Sequence, residues 1–185
     1  MDKINRGGHD TTMGWNTAAL FVHKLPAAEV LAALPSRYAT EPTGDSVQAD
    51  GATASFPGDR LYTAERDQWC QVWDPNSLIA FEVDDLSTRG ALANTRVLAV
   101  LFASVSSSYA FWLYDHGSLA RHVFFADGAP VAESGAPLPV EGEVSLPVWG
   151  PDEDFLWAVI REVTGTDYTQ DARYTVHADP GATGS

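Results

Sequence analysis

The chain has 185 residues and a formal net charge of −14, from 11 Lys and Arg against 25 Asp and Glu, with 45% hydrophobic residues. That length suits about one domain, and an apolar content rich in Trp, Tyr and Phe excludes a disordered chain or a coiled coil. Only Lys3 and Lys24 are lysines, which excludes the clustered positive charge that nucleic acid or an anionic membrane surface requires.

Residues 1–14 are polar, glycine-containing and without periodicity, and read as a flexible N-terminal arm. Thr17 to Val22 reads as a buried strand. Leu25-Pro26 then opens a helix to about residue 34, with Ala27, Val30, Leu31 and Leu34 on one face and Pro35 as its stop. Residues 36–58, rich in Thr, Gly, Asp, Ala and Pro, carry no apolar period and read as a long surface loop. Trp69 to Trp73 and Leu78 to Val83 read as two strands about the turn Asp74-Pro75-Asn76-Ser77. Asp84 and Asp85 precede an expected short helix over 89–94, one of them as its cap.

The clearest organisation lies between about 97 and 133. Four apolar segments, Val97 to Val105, Tyr109 to Tyr114, Leu119 to Phe125 and Pro130 to Glu133, are separated by turn residues and predict an antiparallel meander. Gly135 to Pro147 reads as extended and proline-rich. A final helix is expected over about 152–164, with acidic residues at its start, an apolar stripe of Phe155, Leu156, Val159, Ile160 and Val163, and Gly165 at its end. Residues 167–185 read as a loosely ordered tail. The fold class is α+β: one domain over 15–166, with a central, largely antiparallel sheet and two packed helices.

Chemistry is sparse. There is no Gly-rich phosphate loop, nucleophile elbow, paired-Cys zinc spacing or His-Glu-x-x-His, so no catalytic residue, metal site or cofactor is assigned, and a non-enzymatic protein is favoured. The single Cys70 sits in a strand-like run, where cysteine behaves as a small buried hydrophobe. Asp115-His116 before Gly117 marks a hairpin turn, and His122 a sheet position. Both histidines are also candidate polar groups, and Asp84-Asp85 a candidate cation ligand set that capping explains better. Trp69 and Trp73, four apart in a strand, share one face with Gln71 between them. A buried face makes them core; an exposed one makes them anchors for a partner.

Without an apolar leader or a run near the ~20 residues needed to cross a bilayer, a cytoplasmic location is expected. The charge is uneven: residues 97–185 hold 3 basic and 12 acidic side chains. That excess favours a basic protein partner, or simply solubility. The leading expectation is therefore a non-catalytic module that neutralises or tethers a basic protein, with Trp69, Trp73, Asp84, Asp85, Asp115 and His116 at its interface. Two alternatives stand beside it. One is a small-molecule binder or unfamiliar hydrolase with a pocket near 36–58, using Asp115, His116 or His122; the other is a subunit of a larger assembly, homo-oligomers included.

Gly14-Trp15-Asn16-Thr17-Ala18-Ala19-Leu20, the helix that follows, the stretch Tyr109 to Arg121, and Val131 to Pro139 together resemble a family of uncharacterised α+β proteins found mainly in actinobacteria. That resemblance covers roughly half of the chain, rests on structural motifs and implies no reaction. The architecture is also similar to bacterial immunity-type proteins of the SMI1/KNR4 kind.

Overall fold

The computed structural model describes residues 15–53 and 56–179; the expected N-terminal arm lies outside them. The first strand, β1 (Asn16–His23), is buried along nearly its whole length. Helix α1 (Ala27–Ala33) follows, its first amide donating to Glu65 Oε1 at 2.7 Å. Most of the expected loop at 36–58 is instead structured, over residues 36–53. It holds a 3-10 turn at Ser36–Tyr38, then β2 (Glu41–Gln48) and α2 (Ala49–Thr53).

Two strands come next, β3 (Arg60–Arg66), which the sequence reading did not foresee, and β4 (Trp69–Asp74), which it did. Asp67 and Gln68 join them, both with positive φ, as a tight hairpin requires. The strand expected at 78–83 is helical: α3 (Leu78–Phe81) and α4 (Val83–Leu86). The reason is the fully buried Asp74. Its carboxylate accepts from the amides of Asn76 (2.8 Å), Leu78 (2.9 Å) and Ile79 (3.0 Å), so the chain leaving β4 is folded back into a helical turn. Asp84 and Asp85 therefore lie inside the first turn of α4 rather than capping a helix over 89–94, where only a 3-10 turn at Leu92–Asn94 forms.

The expected meander is present as β5 (Arg96–Ala103), β6 (Ser108–Asp115), β7 (Ser118–Ala126) and β8 (Ala129–Gly135). Within the passage read as extended, Pro139–Glu143 forms α5, and α6 (Glu153–Thr164) is capped by the Asp152 carboxylate on the Phe155 amide at 3.3 Å. The expected tail supplies β9 (Arg173–Ala178). Among the described residues the strands make one antiparallel sheet in the order β2-β9-β3-β4-β1-β5-β6-β7-β8, an α+β arrangement.

Both faces of the sheet are covered. On one, Phe21, Trp73, Val100, Phe102 and Phe111 pack under α6 through Phe155, Leu156, Val159 and Ile160. On the other, Leu20, Val72, Ala99 and Leu101 pack under α1, α3 and α4 through Val30, Ile79, Val83 and Leu86. This explains why β1 and β5 read as unbroken apolar runs: neither strand has a solvent face. No helix among the described residues is long and apolar enough to cross a membrane.

Arg121, almost fully buried on β7, locks α5 to the sheet. Its guanidinium meets both oxygens of Glu141, at 2.9 and 2.6 Å, and donates to the carbonyls of Ser134 and Gly135. Removing one partner of a buried ion pair strands the other charge. Arg121→Ala is expected to cost about 3–5 kcal/mol in urea unfolding, whereas Glu133→Gln, on the exposed side of the same guanidinium, costs less than about 1 kcal/mol.

Burial pushes the imidazoles of His23, His122 and His177 below the usual histidine value of 6.5, with Lys24 and Arg96 adding to the effect at His23. His177 is the most enclosed of the three, its Nε2 2.8 Å from Thr63 Oγ1 and its Nδ1 buried without a hydrogen-bond partner. Above 6.5 these groups are neutral folded and unfolded. As pH falls through that value the unfolded chain binds protons that the folded one refuses, so stability drops. Burial moves Asp74 and Asp152 upward, which opposes that loss at lower pH. His177 is therefore isolated by comparison: between about pH 7.5 and pH 5.5, Tm of the parent falls, and His177→Gln shows a shallower fall.

Candidate functional site

The structure scatters the residues expected at an interface. Trp69 and Trp73 do share one face, but it is the face under α6; they are 6% and 0% exposed, so they belong to the core and offer nothing to a partner. Trp73 sits among Trp15, Phe21, Phe102 and Trp157, with ring centroids 5.9–6.1 Å apart, and its indole N–H donates to Gln71 Oε1 at 3.2 Å. Cys70 is buried on the opposite face, and burial pushes its thiol up to about 12, which removes it as a nucleophile at neutral pH.

Asp84 accepts from the Tyr114 hydroxyl, tying α4 to β6, while Asp85 pairs with Arg89 at the surface. His122 stacks on Trp112 at 4.9 Å and 11° on that same face. Asp115 and His116 lie where β6 turns into β7, and of the other residues expected at an interface Trp69 alone lines the cleft they reach. Among the described residues no group of three His, Cys, Asp or Glu side chains could hold a metal ion. Two clefts on the surface are lined by residues outside 36–58, where the small-molecule alternative placed its pocket.

Two places stand out, one at each end of the central strands. The first is the connection between α5 and α6. Leu146, Val148 and Trp149 are exposed there, Val148 completely and Trp149 to 70%. The backbone carrying them is held. The Gly150 amide donates to the Pro147 carbonyl at 3.0 Å, and Gly150 lies so close to Gly128 in the β7–β8 turn that a Cβ there would sit 2.3 Å from the Gly128 Cα. Gly150, at φ +99, has a conformation only glycine adopts readily. At each end the connection runs into an anchored helix, α5 through Arg121 and Glu141, α6 through the core.

Val105, 87% exposed, lies on the adjoining β5–β6 connection. That connection is joined to the β7–β8 turn by the Asp127 amide on the Ser107 carbonyl at 3.2 Å, and to α6 by the Ser104 hydroxyl on Glu153. The surroundings are acidic. Between residues 122 and 160 there are seven Asp and Glu and no Lys or Arg. Sequence reasoning passed over Trp149, although Leu146-Pro147-Val148-Trp149 is an apolar run between two helices with no periodicity that would bury it.

The second place is a cleft of about 750 Å³ at the other end, roughly 23 Å away along eight-residue strands. His23 and Arg96 reach it from the ends of β1 and β5, Asp115 and His116 from the β6–β7 turn, Lys24 from the β1–α1 turn. Asp115 accepts from Arg96 Nη2 at 3.2 Å and from His116 Nδ1 at 2.8 Å, and these two partners hold its carboxyl below the usual carboxylate range. Comparison with family models, with curated proteins and with solved structures found no match.

The two kinds of tryptophan should separate in a stability measurement. Trp73→Ala, which empties the core, is expected to lose about 3–5 kcal/mol. Trp149→Ser stays within about 0.5 kcal/mol of the parent, since the side chain is largely in solvent. Parallel urea titrations check both.

Proposed function

We propose that this protein is a non-catalytic binding module that engages a basic partner protein, neutralising or tethering it, through the Val148–Trp149 connection and the acidic surface around it. The observation that carries this reading is a tryptophan and a valine presented to solvent on a backbone pinned from both sides. A chain that spends a left-handed glycine and a close backbone contact to hold two apolar side chains outward gains no folding energy from them. Exposed apolar groups in such a setting are the usual mark of a contact surface, and tryptophan is the residue most enriched where binding energy concentrates.

The chemistry of the partner follows from charge. Asp127, Glu143, Asp152, Glu153 and Asp154 lie on the elements around Trp149, and the chain as a whole is strongly negative. Such a field accelerates encounter with a positively charged surface, while desolvation of the indole supplies the lasting affinity. The anchor is thus Trp149, in place of the buried Trp69 and Trp73, and the acidic character expected of the interface is retained.

Affinity capture with tagged protein tests this. The expected result is a stoichiometric basic protein that is released as salt is raised and whose affinity falls by about 30-fold or more in Trp149→Ser, the loss of one central aromatic contact. Capture that is indifferent to Trp149→Ser, or a partner without excess positive charge, overturns the reading.

A further inference from the structure

We infer that the cleft between the β1–α1 turn and the β6–β7 turn is a binding site for a small organic anion, a carboxylate or phosphate carried on an apolar body, held through Lys24 and Arg96.

The charge around the cleft is the first support. In a chain of net charge −14, its lining carries two cations, Lys24 and Arg96, beside the imidazoles of His23 and His116 and against a single carboxylate, Asp115. That carboxylate is already engaged on both oxygens, by Arg96 and by His116. Its hydrogen bonds therefore orient the Arg96 guanidinium and the His116 ring instead of competing with an incoming anion. Lys24 forms no ion pair among the described residues, and its backbone is fixed in a left-handed turn (φ 55) by its amide on the Gln68 carbonyl at 2.7 Å. An ammonium without a partner and a guanidinium with donors left over are what a planar or tetrahedral oxyanion requires.

The shape is the second support. The volume falls within the range of small-molecule sites. Besides its charged groups the cleft is lined by Leu25, Trp69, Ala91 and Val163, with the His23 ring against the Trp69 indole at 4.9 Å and 38°. An apolar floor with cations on its wall selects a ligand with both parts; a bare inorganic ion uses only half of it. The same two cations add, at His23, to the lowering that burial imposes.

Calorimetric titration with phenyl phosphate, benzoate and uncharged benzyl alcohol tests the inference, with amide chemical shifts locating the site. The expected result is one saturable site for at least one of the anions, with shifts at Lys24, Thr95, Arg96 and His116 and with benzyl alcohol about tenfold weaker or worse. A preference for phenyl phosphate assigns the natural ligand to the phosphates, and a preference for benzoate to the carboxylates. Lys24→Gln combined with Arg96→Gln should weaken the preferred anion by about tenfold or more; Lys24→Asn, which tolerates the left-handed backbone, guards against a folding artefact. Equal binding of the alcohol, equal binding by the charge-depleted variants, or no saturable binding of either anion overturns the inference. Trp149→Ser should bind the anion as the parent does, so failure here is distinguishable from failure of the partner-binding reading.

Discussion

The structure depends on one constraint: the central strands of a wide antiparallel sheet are buried on both faces. Antiparallel sheets commonly leave one side to water, and then half of each strand can be polar. Here β1 and β5 have Leu20 and Ala99 on one face and Phe21 and Val100 on the other, all fully buried. Such strands are insoluble without two covering layers. The amphipathic α6 supplies one, and the short helices α1, α3 and α4 supply the other. Asp74 belongs to the same logic, since burying its carboxylate at the end of β4 is acceptable only because three amides of the next segment converge on it, and that convergence is what places α3 over the sheet.

This constraint also explains which elements were legible. Unbroken apolar runs flanked by turn residues read correctly as β1, β4 and the β5–β8 meander, and the capped, apolar-striped α6 read almost to the residue. The same rule misled at Leu78 to Val83, an apolar run that is helical because the preceding Asp74 side chain gathers its first amides. The third of the sheet formed by β2, β9 and β3 was largely invisible. In β2, Pro42 and Gly44 argue against a strand, which exists because β9 pairs with it around an irregularity between Pro42 and Ser46. In β9 only Tyr174 and Val176 point into the core under α6, too short an alternation to recognise near a chain end.

The sites were legible to different degrees for a related reason. Asp115 and His116 were singled out from a local turn signal, and a turn at a strand end is where loop residues from several strands meet; the meeting with Lys24 and Arg96 depends on strand order, which no local pattern encodes. Trp69 and Trp73 illustrate the converse. Their spacing placed them on one face correctly, but which face is buried depends on what packs over it. Trp149 was passed over although it needed neither, because an apolar residue that no periodicity can bury is a signal in itself.

The two ends of the sheet carry opposite local chemistry, and this separates what each can recognise. At the α5–α6 connection the local charge and the net charge have the same sign, so long-range attraction and contact both favour a basic partner, and both weaken as salt rises. At the cleft the local field opposes the net field. An approaching anion is repelled by the whole molecule beyond a screening length of about 8 Å at physiological salt and attracted by Lys24 and Arg96 only within it. Added salt therefore relieves the repulsion while weakening the contact, and the two effects offset each other. A site built this way discriminates by fit at short range rather than by steering, which matches a small ligand with an apolar body better than it matches a polyanion, whose many charges would all be exposed to the repulsive field.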